Sequence, residues 1–494
     1  MATTYRNHIG GEWVPAASGR TFEDRNPADR DDVLGNFPRS DAADVERAVA
    51  AAREAFRTWR LVPAPRRAEI VFRAGEILVR RKEELARLMT REMGKVLAEA
   101  RGDVQEGIDT AYYMAGEGRR LFGHQAPCEM PSKFGVAIRV PVGVVAAITP
   151  WNFPLAIPTW KLLPALVCGN TVVFKPAEDT PLMAHAFLEI LLEAGLPPGV
   201  VSLVHGYGEE AGAPLVRHGG VNLVSFTGST ETGREVAKVG AETYKKVSLE
   251  MGGKNAIIVM DDAPLELALD GAVWGGFGTS GQRCTAASRV IVHDRVHRAF
   301  TREFAERAKA LRLGSGLDEQ TDVGPVINET QLRRIHEYTE VGRGEGATVL
   351  VGGDIATEGA LRRGYFYKPT IFDDVDPKMR IAREEIFGPS VSVLRARSFE
   401  EAIDICNNTN YGLSSAIYTR DINRAFQAMQ DIATGITYVN SSTIGAEIQF
   451  PFGGVRQTGN GHREGGWTVL DIMTEWKTLY VDYSGKLQKA QIDV

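Results

Sequence analysis

Apolar residues in the first quarter of the chain recur at the spacing of α-helices. Between Asp41 and Trp59 they stand three or four residues apart, and Asp41 is placed to cap the start of that helix. The same spacing runs over residues 65–80, 82–93 and 97–121. These segments are therefore predicted to form helices that pack around a sheet.

From about Val142 onwards, short apolar runs alternate with helix-length segments. This alternation is typical of a parallel sheet covered by helices on both faces, as in dinucleotide-type domains. A second alternation begins after Gly253 and predicts a second α/β domain. The predicted strands lie near residues 143–148, 171–174, 200–204 and 221–226 in the first series, and near 255–260, 289–292, 347–351, 390–394, 413–418 and 436–439 in the second.

Length and charge narrow the class of protein. A chain of 494 residues is too long for one core of ordinary size, which supports a division into two large domains. The net charge of −6, with acidic and basic residues interspersed, gives no basic surface for nucleic acid. The N-terminus has no signal-peptide core and no apolar run reaches about 18 residues, so we expect an unprocessed, soluble protein without membrane contact.

The cysteines and histidines favour neither a disulfide framework nor a metal site. Cys128, Cys168, Cys284 and Cys406 are widely separated and form no C-x-x-C pair. The nine histidines include no H-x-H or H-E-x-x-H spacing. We therefore expect a reducing, cytoplasmic setting and no catalytic metal.

The segment Gly281–Ser288 presents one thiol in a loop of small residues. An unperturbed thiol, with a pKa of about 8.5, is only a few per cent ionised at pH 7, so a nucleophilic cysteine needs a base and hydrogen-bond donors nearby. A lone cysteine is more often a small core residue. Here the small residues leave the backbone open to a substrate between two predicted elements, which favours Cys284 as a nucleophile.

Two polar residues near predicted strand ends are candidates for the base and the donor. Glu250 follows an apolar, strand-like stretch and precedes two glycines. Burial would raise its pKa towards neutrality and let it take a proton from a thiol or a water; the alternative is an exposed strand-end acid. Asn152 lies between two prolines after the first predicted strand, where its amide either stabilises an oxyanion or forms a plain turn.

Residues at two further strand ends suit a dinucleotide. Lys175 can bind ribose or phosphate, and Glu178 can accept from the hydroxyls of an adenosine ribose and would repel a 2′-phosphate. The segment Phe226–Gly233 ends another strand and begins a helix whose N-terminus suits a pyrophosphate. That segment alone is a weak signal because G-x-G-x-x-G is absent. Together the three features predict a nucleotide site.

Seven motifs stand in one order along the chain: PWNFP at 150–154, KPAE at 175–178, FTGST at 226–230, LEMGGK at 249–254, GQRCT at 281–285, EIFGP at 385–389 and PFGG at 451–454. On these motifs the chain resembles the NAD(P)-dependent aldehyde dehydrogenase superfamily across essentially its whole length. Within it, the nearest resemblance is to semialdehyde dehydrogenases that act on acids such as 2-oxoglutarate semialdehyde.

The resemblance implies an α/β, aldehyde dehydrogenase-like fold in three parts. A Rossmann-type NAD-binding domain is expected over 1–121 and 142–252, and an α/β catalytic domain over 253–467. A β-flap for oligomerisation is expected over 122–141 and 468–494. The resemblance also implies a homo-oligomer, either a dimer or a tetramer.

The resemblance implies a chemical role for each candidate. Cys284 would attack a small aldehyde substrate, and Asn152 with the backbone N–H of Cys284 would hold the oxyanion. Hydride would pass to the nicotinamide, and Glu250 would activate the water that hydrolyses the thioester. The resemblance also implies that Lys175 is a catalytic residue. Lys254 and Glu464 can join the proton network, although the segment before Glu464 is one residue longer than the common form.

The cofactor implied is NAD, with NADP as the alternative. Glu385 would position the nicotinamide ribose and Phe387 would pack at the nicotinamide end of the site. The implied cofactor-binding residues are Ile148, Thr149, Pro150, Trp151, Lys175, Ala177, Glu178, Phe226, Gly228, Ser229, Glu250, Gly252, Glu385 and Phe387.

Three other functions compete with hydrolytic aldehyde oxidation. A CoA-acylating dehydrogenase would resolve the thioester with CoA and typically lacks the activating carboxylate, so Glu250 speaks against it. A cysteine hydrolase would need a histidine base, and no histidine lies in a recognisable motif. A catalytically silent paralogue is disfavoured because Cys284, Glu250, Asn152 and Lys175 are all present.

Overall fold

The structure is a computed structural model that describes residues 2–492. The predicted ranges 1–121 and 468–494 include Met1, Asp493 and Val494, which lie outside the described residues.

Nineteen strands are found in the described residues: β1 (Asn7–Ile9), β2 (Glu12–Val14), β3 (Thr21–Arg25), β4 (Val33–Pro38), β5 (His124–Gln125), β6 (Lys133–Pro141), β7 (Val144–Ile148), β8 (Thr171–Lys175), β9 (Val201–Leu203), β10 (Leu223–Gly228), β11 (Lys246–Met251), β12 (Asn255–Val259), β13 (Ala287–His293), β14 (Thr348–Val351), β15 (Thr370–Asp373), β16 (Ser390–Ala396), β17 (Ser414–Tyr418), β18 (Ile436–Val439) and β19 (Thr474–Asp482).

The α-helices of the same residues are α1 (Ala42–Trp59), α2 (Ala64–Arg80), α3 (Lys82–Met93), α4 (Leu97–Glu117), α5 (Ala156–Cys168), α6 (Pro181–Glu193), α7 (Ala213–Arg217), α8 (Thr230–Thr243), α9 (Leu265–Phe277), α10 (Asp294–Ala310), α11 (Glu329–Glu345), α12 (Arg380–Arg383), α13 (Phe399–Asn407), α14 (Ile422–Asp431) and α15 (Val469–Met473).

The first sheet has seven strands in the order β11-β10-β7-β8-β9-β1-β2. Its first five strands are parallel, and the β1–β2 hairpin adds an antiparallel edge next to β9. Strand β7 is apolar throughout because both faces of the sheet are covered, with separate buried clusters on the two sides. The carboxyl ends of β7, β8, β10 and β11 therefore meet at one edge of the sheet.

The second sheet also has seven strands, in the order β14-β15-β16-β13-β12-β17-β18. Every neighbouring pair is parallel except β14–β15. Both faces are again covered by apolar clusters. The short connection Gly252–Lys254 joins β11 of the first sheet to β12 of the second, so the carboxyl end of β11 lies where the two sheets adjoin.

A third sheet is formed by β5, β6 and β19. Strands β6 and β19 pair antiparallel over nine residues each, from Thr474 opposite Pro141 to Asp482 opposite Lys133. Most of β19 is exposed, including Trp476, Tyr480 and Val481.

All ten strands predicted from apolar runs are present. The prediction did not include β15, which carries only four residues between polar segments. Asp41 caps α1 as predicted, by accepting a hydrogen bond from the backbone N–H of Ala43.

Candidate active site

The loop that carries Cys284 is held in an unusual backbone conformation. After α9 the chain passes through Thr279, Ser280 and Gly281, which have φ of 52°, 55° and 67° in succession. A Cβ at Gly281 would collide with the carbonyl oxygen of Gly388, so only glycine fits this close approach. Glu99 ties the turn to α4 by accepting from the backbone N–H of Thr279 at 2.8 Å.

Two asparagines hold the backbone next to the thiol. Asn152 Nδ2 donates to the carbonyl oxygen of Gln282 at 3.0 Å, while its Oδ1 is buried without a hydrogen-bond partner in residues 2–492. Asn255 Nδ2 donates to the carbonyl oxygens of Cys284 and Ala286 at 2.7 and 3.0 Å. The structure therefore brings the amide of Asn152 to the cysteine loop, although the two lie far apart in the sequence.

A cavity of about 440 Å³ is lined by three of the four predicted catalytic residues, Cys284, Glu250 and Asn152. Of the predicted site residues, the cavity is lined by Pro150, Trp151, Asn152, Gly228, Ser229, Glu250, Gly252, Cys284, Glu385 and Phe387. The other predicted cofactor-binding residues do not line this cavity. They lie in or just after strands β7, β8 and β10 of the first sheet: Ile148, Thr149, Lys175, Ala177, Glu178 and Phe226. Lys175 Nζ donates to Glu178 Oε2 at 3.0 Å, and the structure does not place Lys175 in the catalytic cavity.

Glu250 is a buried carboxylate. Neither of its oxygens makes a hydrogen bond of ordinary geometry in the described chain, and the nearby backbone N–H of Gly454 is the one donor that lowers its pKa. It lies on β11, and a Cβ at Gly453 would collide with its Oε1. Burial raises the pKa of Glu250 well above its ordinary value, and the nearby carboxylate of Glu464 raises it further against the opposing charge of Lys161. A carboxyl group in this state is suited to accept a proton from a water or thiol.

Burial and charge also act on the thiol. Burial raises the pKa of Cys284 to about 12, and the carboxylates of Glu250, Glu385 and Glu106 contribute in the same direction. A raised pKa favours the neutral thiol, so a nucleophilic role for Cys284 would require a base within the cavity.

A buried ion pair below Glu250 was not predicted from the sequence. Lys161 Nζ binds the carboxylate of Glu464 and also donates to Ser225 Oγ at 3.1 Å. The resemblance implied that Glu464 can join the proton network, but no feature of the sequence analysis singled out Lys161. A signal was available, because Lys161 is the one charged residue of the otherwise apolar helix α5.

The opposite wall holds a carboxylate in a glycine cradle. Glu385 accepts from the backbone N–H of Gly253 at 3.0 Å, and a Cβ at Gly252 would collide with its carboxylate. Trp151 and Phe387 stand edge to face with ring centroids 5.4 Å apart. Such a carboxylate, aimed into a cavity beside aromatic rings, suits a nucleotide ribose.

The nucleotide side of the cavity lies at the start of α8. Ser229 caps this helix by accepting from the backbone N–H of Thr232 at 3.1 Å, and Thr227 Oγ1 is buried without a partner in residues 2–492. A helix N-terminus and an unpartnered hydroxyl suit a pyrophosphate and a polar ring substituent. Together with the Glu385 cradle, these groups fit a nicotinamide dinucleotide.

Lys254 is a further buried residue near the carboxylate of Glu385. Its Nζ has no hydrogen-bond partner within the described residues. Burial lowers the pKa of Lys254 to about 7; nearby Arg289 also lowers it, whereas Glu385 and Glu384 raise it. Arg289 in turn donates to the carbonyl oxygens of Lys254, Ile405 and Cys406.

A thiol, a partner-free carboxylate and a dinucleotide-sized cleft between two α/β sheets define an oxidoreductase that acts on carbonyl substrates. The model of the aldehyde dehydrogenase family matches residues 13–479. The chain belongs to this family and is an NAD(P)-dependent aldehyde dehydrogenase that oxidises an aldehyde to the carboxylic acid. The fold and function expected from the seven motifs are confirmed.

Similar proteins cover nearly the whole chain. The alpha-ketoglutaric semialdehyde dehydrogenase of Bacillus subtilis is 43% identical over 97% of this chain and 98% of its own length. The alpha-ketoglutarate semialdehyde dehydrogenase of Haloferax volcanii is 41% identical over 98% of this chain and 100% of its own length. A crystal structure of betaine aldehyde dehydrogenase from Staphylococcus aureus in complex with NAD+ superimposes with a TM-score of 0.96 at 36% identity, covering 98% and 96% of the two chains.

Within residues 2–492, no helix combines the length and the apolarity needed to cross a membrane.

Proposed function

We propose that this protein is a hydrolytic, NAD-dependent semialdehyde dehydrogenase in which Cys284 is the nucleophile and Glu250 the general base. The observation that carries this assignment is the carboxylate of Glu250, which is buried without a hydrogen-bond partner in the described chain and lines the same cavity as Cys284. A buried carboxylate with no internal partner is costly, which indicates that its position serves a reaction.

In the first step the sulfur of Cys284 forms a bond to the aldehyde carbon while its proton passes to a base, for which Glu250 is placed. The carbonyl oxygen gains negative charge and is stabilised by the amide of Asn152 and the backbone N–H of Cys284. Such a donor typically contributes about 2.7–4 kcal/mol to lowering the barrier. The bound dinucleotide accepts the hydride from the same carbon, which leaves a thioester on Cys284.

Before the second step Glu250 releases the proton taken from the thiol to solvent. It then removes a proton from a water that attacks the thioester carbon. The carbon–sulfur bond breaks, the carboxylic acid leaves, and the proton held by Glu250 passes to the departing thiolate, which restores the thiol. This step separates the hydrolytic assignment from the CoA-acylating alternative, because a CoA thiol would otherwise take the place of the water. A general base of this kind contributes about 10²–10⁴-fold to the rate.

The choice of NAD over NADP rests on Glu178. Its carboxylate follows β8 and is about one-third exposed, paired with Lys175. A carboxylate at this strand end accepts hydrogen bonds from ribose hydroxyls and repels a 2′-phosphate. The NAD+ bound in the similar S. aureus structure supports the same choice.

The substrate we propose is a carboxylate-bearing semialdehyde, with 2-oxoglutarate semialdehyde as the first example. The relatives from B. subtilis and H. volcanii are named for this substrate. Trp160 and Phe452 stack edge to face with centroids 4.8 Å apart and form an apolar wall beside Cys284. The short aliphatic chain of such a substrate can pack against these two rings, and its charged carboxylate would point away from them.

The experiment is NADH formation at 340 nm with purified protein, NAD or NADP, and a panel of aliphatic, aromatic and ω-carboxyl aldehydes. We expect turnover without CoA, a preference for ω-carboxyl aldehydes and NAD, and no activity in Cys284→Ala. Glu250→Gln removes the base proposed for both steps, so its steady-state rate should fall by about 10²–10⁴-fold. A rapid burst of NADH before slow steady-state turnover would show that hydrolysis is slowed more than hydride transfer. Turnover that requires CoA, or an unchanged rate in Glu250→Gln, would refute the hydrolytic role of Glu250.

The three sheets described above support a division into an NAD-binding domain over 1–121 and 142–252, a catalytic domain over 253–467 and a flap over 122–141 and 468–494.

On the flap, Trp476, Tyr480 and Val481 are 47, 66 and 55% exposed. Exposed aromatic and apolar side chains on one edge favour contact with a second subunit. We infer a cytoplasmic homodimer or tetramer, to be tested by light scattering of the wild type and Tyr480→Asp. A monomeric wild type would exclude this assembly.

A further inference from the structure

The strand that carries Glu250 lies at the edge of the first sheet and is held differently on its two sides. On one side β11 pairs in parallel with β10, with Glu250 opposite Thr227. On the other side, no strand of the described residues pairs with it. The segment 458–460, which follows the second sheet in the chain, takes that place, and its Gly459 forms an isolated antiparallel bridge with Glu250.

Asn460 makes the outer contact to β11 with its side-chain amide. Its Nδ2 donates to the carbonyl oxygen of Val247 at 2.6 Å, and its Oδ1 accepts from the backbone N–H of Leu249 at 3.1 Å. Val247 and Leu249 stand two positions apart, so their backbone groups point to the same edge of the strand. The side-chain amide therefore makes the pair of hydrogen bonds that a peptide group of a neighbouring strand would make.

The chemistry of these two contacts requires an amide side chain. The N–H of Leu249 can only donate and the carbonyl oxygen of Val247 can only accept, so the side chain that binds both must offer one acceptor and one donor. The amide of asparagine has both, on one short planar group. An ionised aspartate would lack the donor, and a leucine of similar size would lack both groups.

Thr458 extends the same contact to the residue after β11. Its side chain is fully buried, and its Oγ1 donates to the carbonyl oxygen of Gly252 at 2.9 Å. The same oxygen accepts from the backbone N–H of Gly412 at 3.1 Å, which ties the contact to the second sheet's side of the cleft. Together with Asn460, Thr458 therefore holds the backbone on both sides of Glu250.

The carboxylate of Glu250 depends on this backbone for its position. Neither of its oxygens makes a hydrogen bond of ordinary geometry in residues 2–492. The residue against its Oε1 is Gly453, which has no side chain to hold it, and a Cβ there would collide with this oxygen. A reacting group must be held close to its productive geometry by the residues that support it. For Glu250, that support comes from β11 and from the segment that binds its outer edge.

We propose that Asn460 is a positioning residue for the general base, which holds β11 so that Glu250 meets the water that attacks the thioester. This inference deepens the proposed function and rests on the role of Glu250 in it. Asn460 lies outside the cavity that Cys284 and Glu250 line, so it acts through Glu250 and not on the substrate. A misplacement of about 1 Å, caused by a substitution away from the reacting atoms, can lower a rate by about 10²-fold.

The test compares kcat for the wild type, Asn460→Leu, Glu250→Gln and the double variant. NADH formation is followed with NAD and saturating glutarate semialdehyde, an ω-carboxyl aldehyde. Asn460→Leu removes both hydrogen bonds at similar volume, and we expect it to lower kcat by about 10- to 100-fold in the wild type. In Glu250→Gln the same substitution should change kcat by less than about twofold, because a residue that acts through the carboxylate has no effect once the carboxylate is absent.

The matched control is Asn407→Leu. Asn407, the last residue of α13, donates to the carbonyl oxygen of Asp431 and accepts from the backbone N–H of Ala433, both at 2.8 Å, so it too binds two backbone groups two positions apart. It does not line the cavity, and its kcat should equal that of the wild type. Thermal shift with NAD reports whether each variant is folded and binds the cofactor. If Asn460→Leu is unfolded, Asn460→Asp takes its place, because it keeps the acceptor and loses the donor.

The outcomes separate the positioning role from the proposed function. A loss of kcat in Asn460→Leu that is absent in the Glu250→Gln background supports both. The same loss in both backgrounds, no loss in the wild-type background, or an equal loss in Asn407→Leu overturns the positioning role and leaves Glu250 as the base. A Glu250→Gln variant as active as the wild type overturns the proposed base and the positioning role with it.

Discussion

Glu464→Gln tests the buried ion pair below the general base. Lys161 and Glu464 bind each other with side-chain exposures of 0 and 3%, and Ser225 is the only other side chain hydrogen-bonded to Lys161 Nζ in residues 2–492. The substitution removes the countercharge and leaves a buried ammonium whose acceptors are the neutral amide oxygen of the new side chain and the hydroxyl of Ser225. Breaking a buried pair in this way costs about 3–5 kcal/mol of stability.

The control for this prediction is Glu306→Gln, which breaks an exposed pair of the same residue types. Glu306 and Lys309 lie 2.7 Å apart with exposures of 62 and 52%, and such pairs contribute about 0–1 kcal/mol. The measurement is the apparent Tm at one fixed scan rate, because a chain of this size is not expected to unfold in two states. We expect Glu464→Gln to lower the Tm far more than Glu306→Gln does.

The double variant Lys161→Met/Glu464→Leu tests whether the loss of stability comes from an unpaired buried charge. Removing both charges leaves no uncompensated ion, so the Tm should return most of the way to that of the wild type. Equal Tm values for Glu464→Gln and Glu306→Gln would refute the assignment of a buried, mutually dependent pair.

Glu464→Gln should also change the pKa of Glu250. The carboxylate of Glu464 is the largest charge effect that raises the pKa of Glu250, ahead of the opposing effect of Lys161. Glu464→Gln should therefore lower the pKa of Glu250, whether or not Lys161 keeps its proton. Since the proposed role of Glu250 is that of an ionised base, the acidic limb of kcat against pH should move to lower pH. An acidic limb that stays in place or moves to higher pH would contradict this electrostatic account.

Three further predictions concern other parts of the site. Gly281→Ala should lower both kcat and Tm, because its Cβ would collide with the carbonyl oxygen of Gly388 at a φ of 67°; enzyme assay and thermal shift test this. Lys254→Met should flatten the rise of Tm between about pH 7 and pH 10: burial lowers the folded-state pKa of Lys254 to about 7, so over this range the unfolded chain binds the extra proton and stability increases with pH. Glu178→Ser should raise kcat/KM for NADP relative to NAD, because a carboxylate that would repel a 2′-phosphate is removed; an unchanged ratio would assign cofactor choice to other residues.

Local patterns in the sequence were sufficient for most of the fold. Strands such as β7 and β12 are buried on both faces, so their apolar runs are visible without knowledge of their neighbours. Strand β15 was not predicted because its apolar run is limited to Ile371 and Phe372, and its pairing with β16 depends on another segment of the chain. The motifs around Cys284 and Glu250 were visible because their glycines and strand ends are local features.

The sequence by itself singled out the groups that we propose to carry the chemistry: the thiol of Cys284, the carboxylate of Glu250 and the amide of Asn152. Only the tertiary structure decided how these groups are charged. Glu464 lies 303 residues from Lys161 in the chain, and the raised pKa values of Glu250 and Cys284 depend on neighbours from other elements. The physical reason is that burial and charge interactions depend on distances in space, which the packing of the sheets and helices sets and local sequence patterns do not contain.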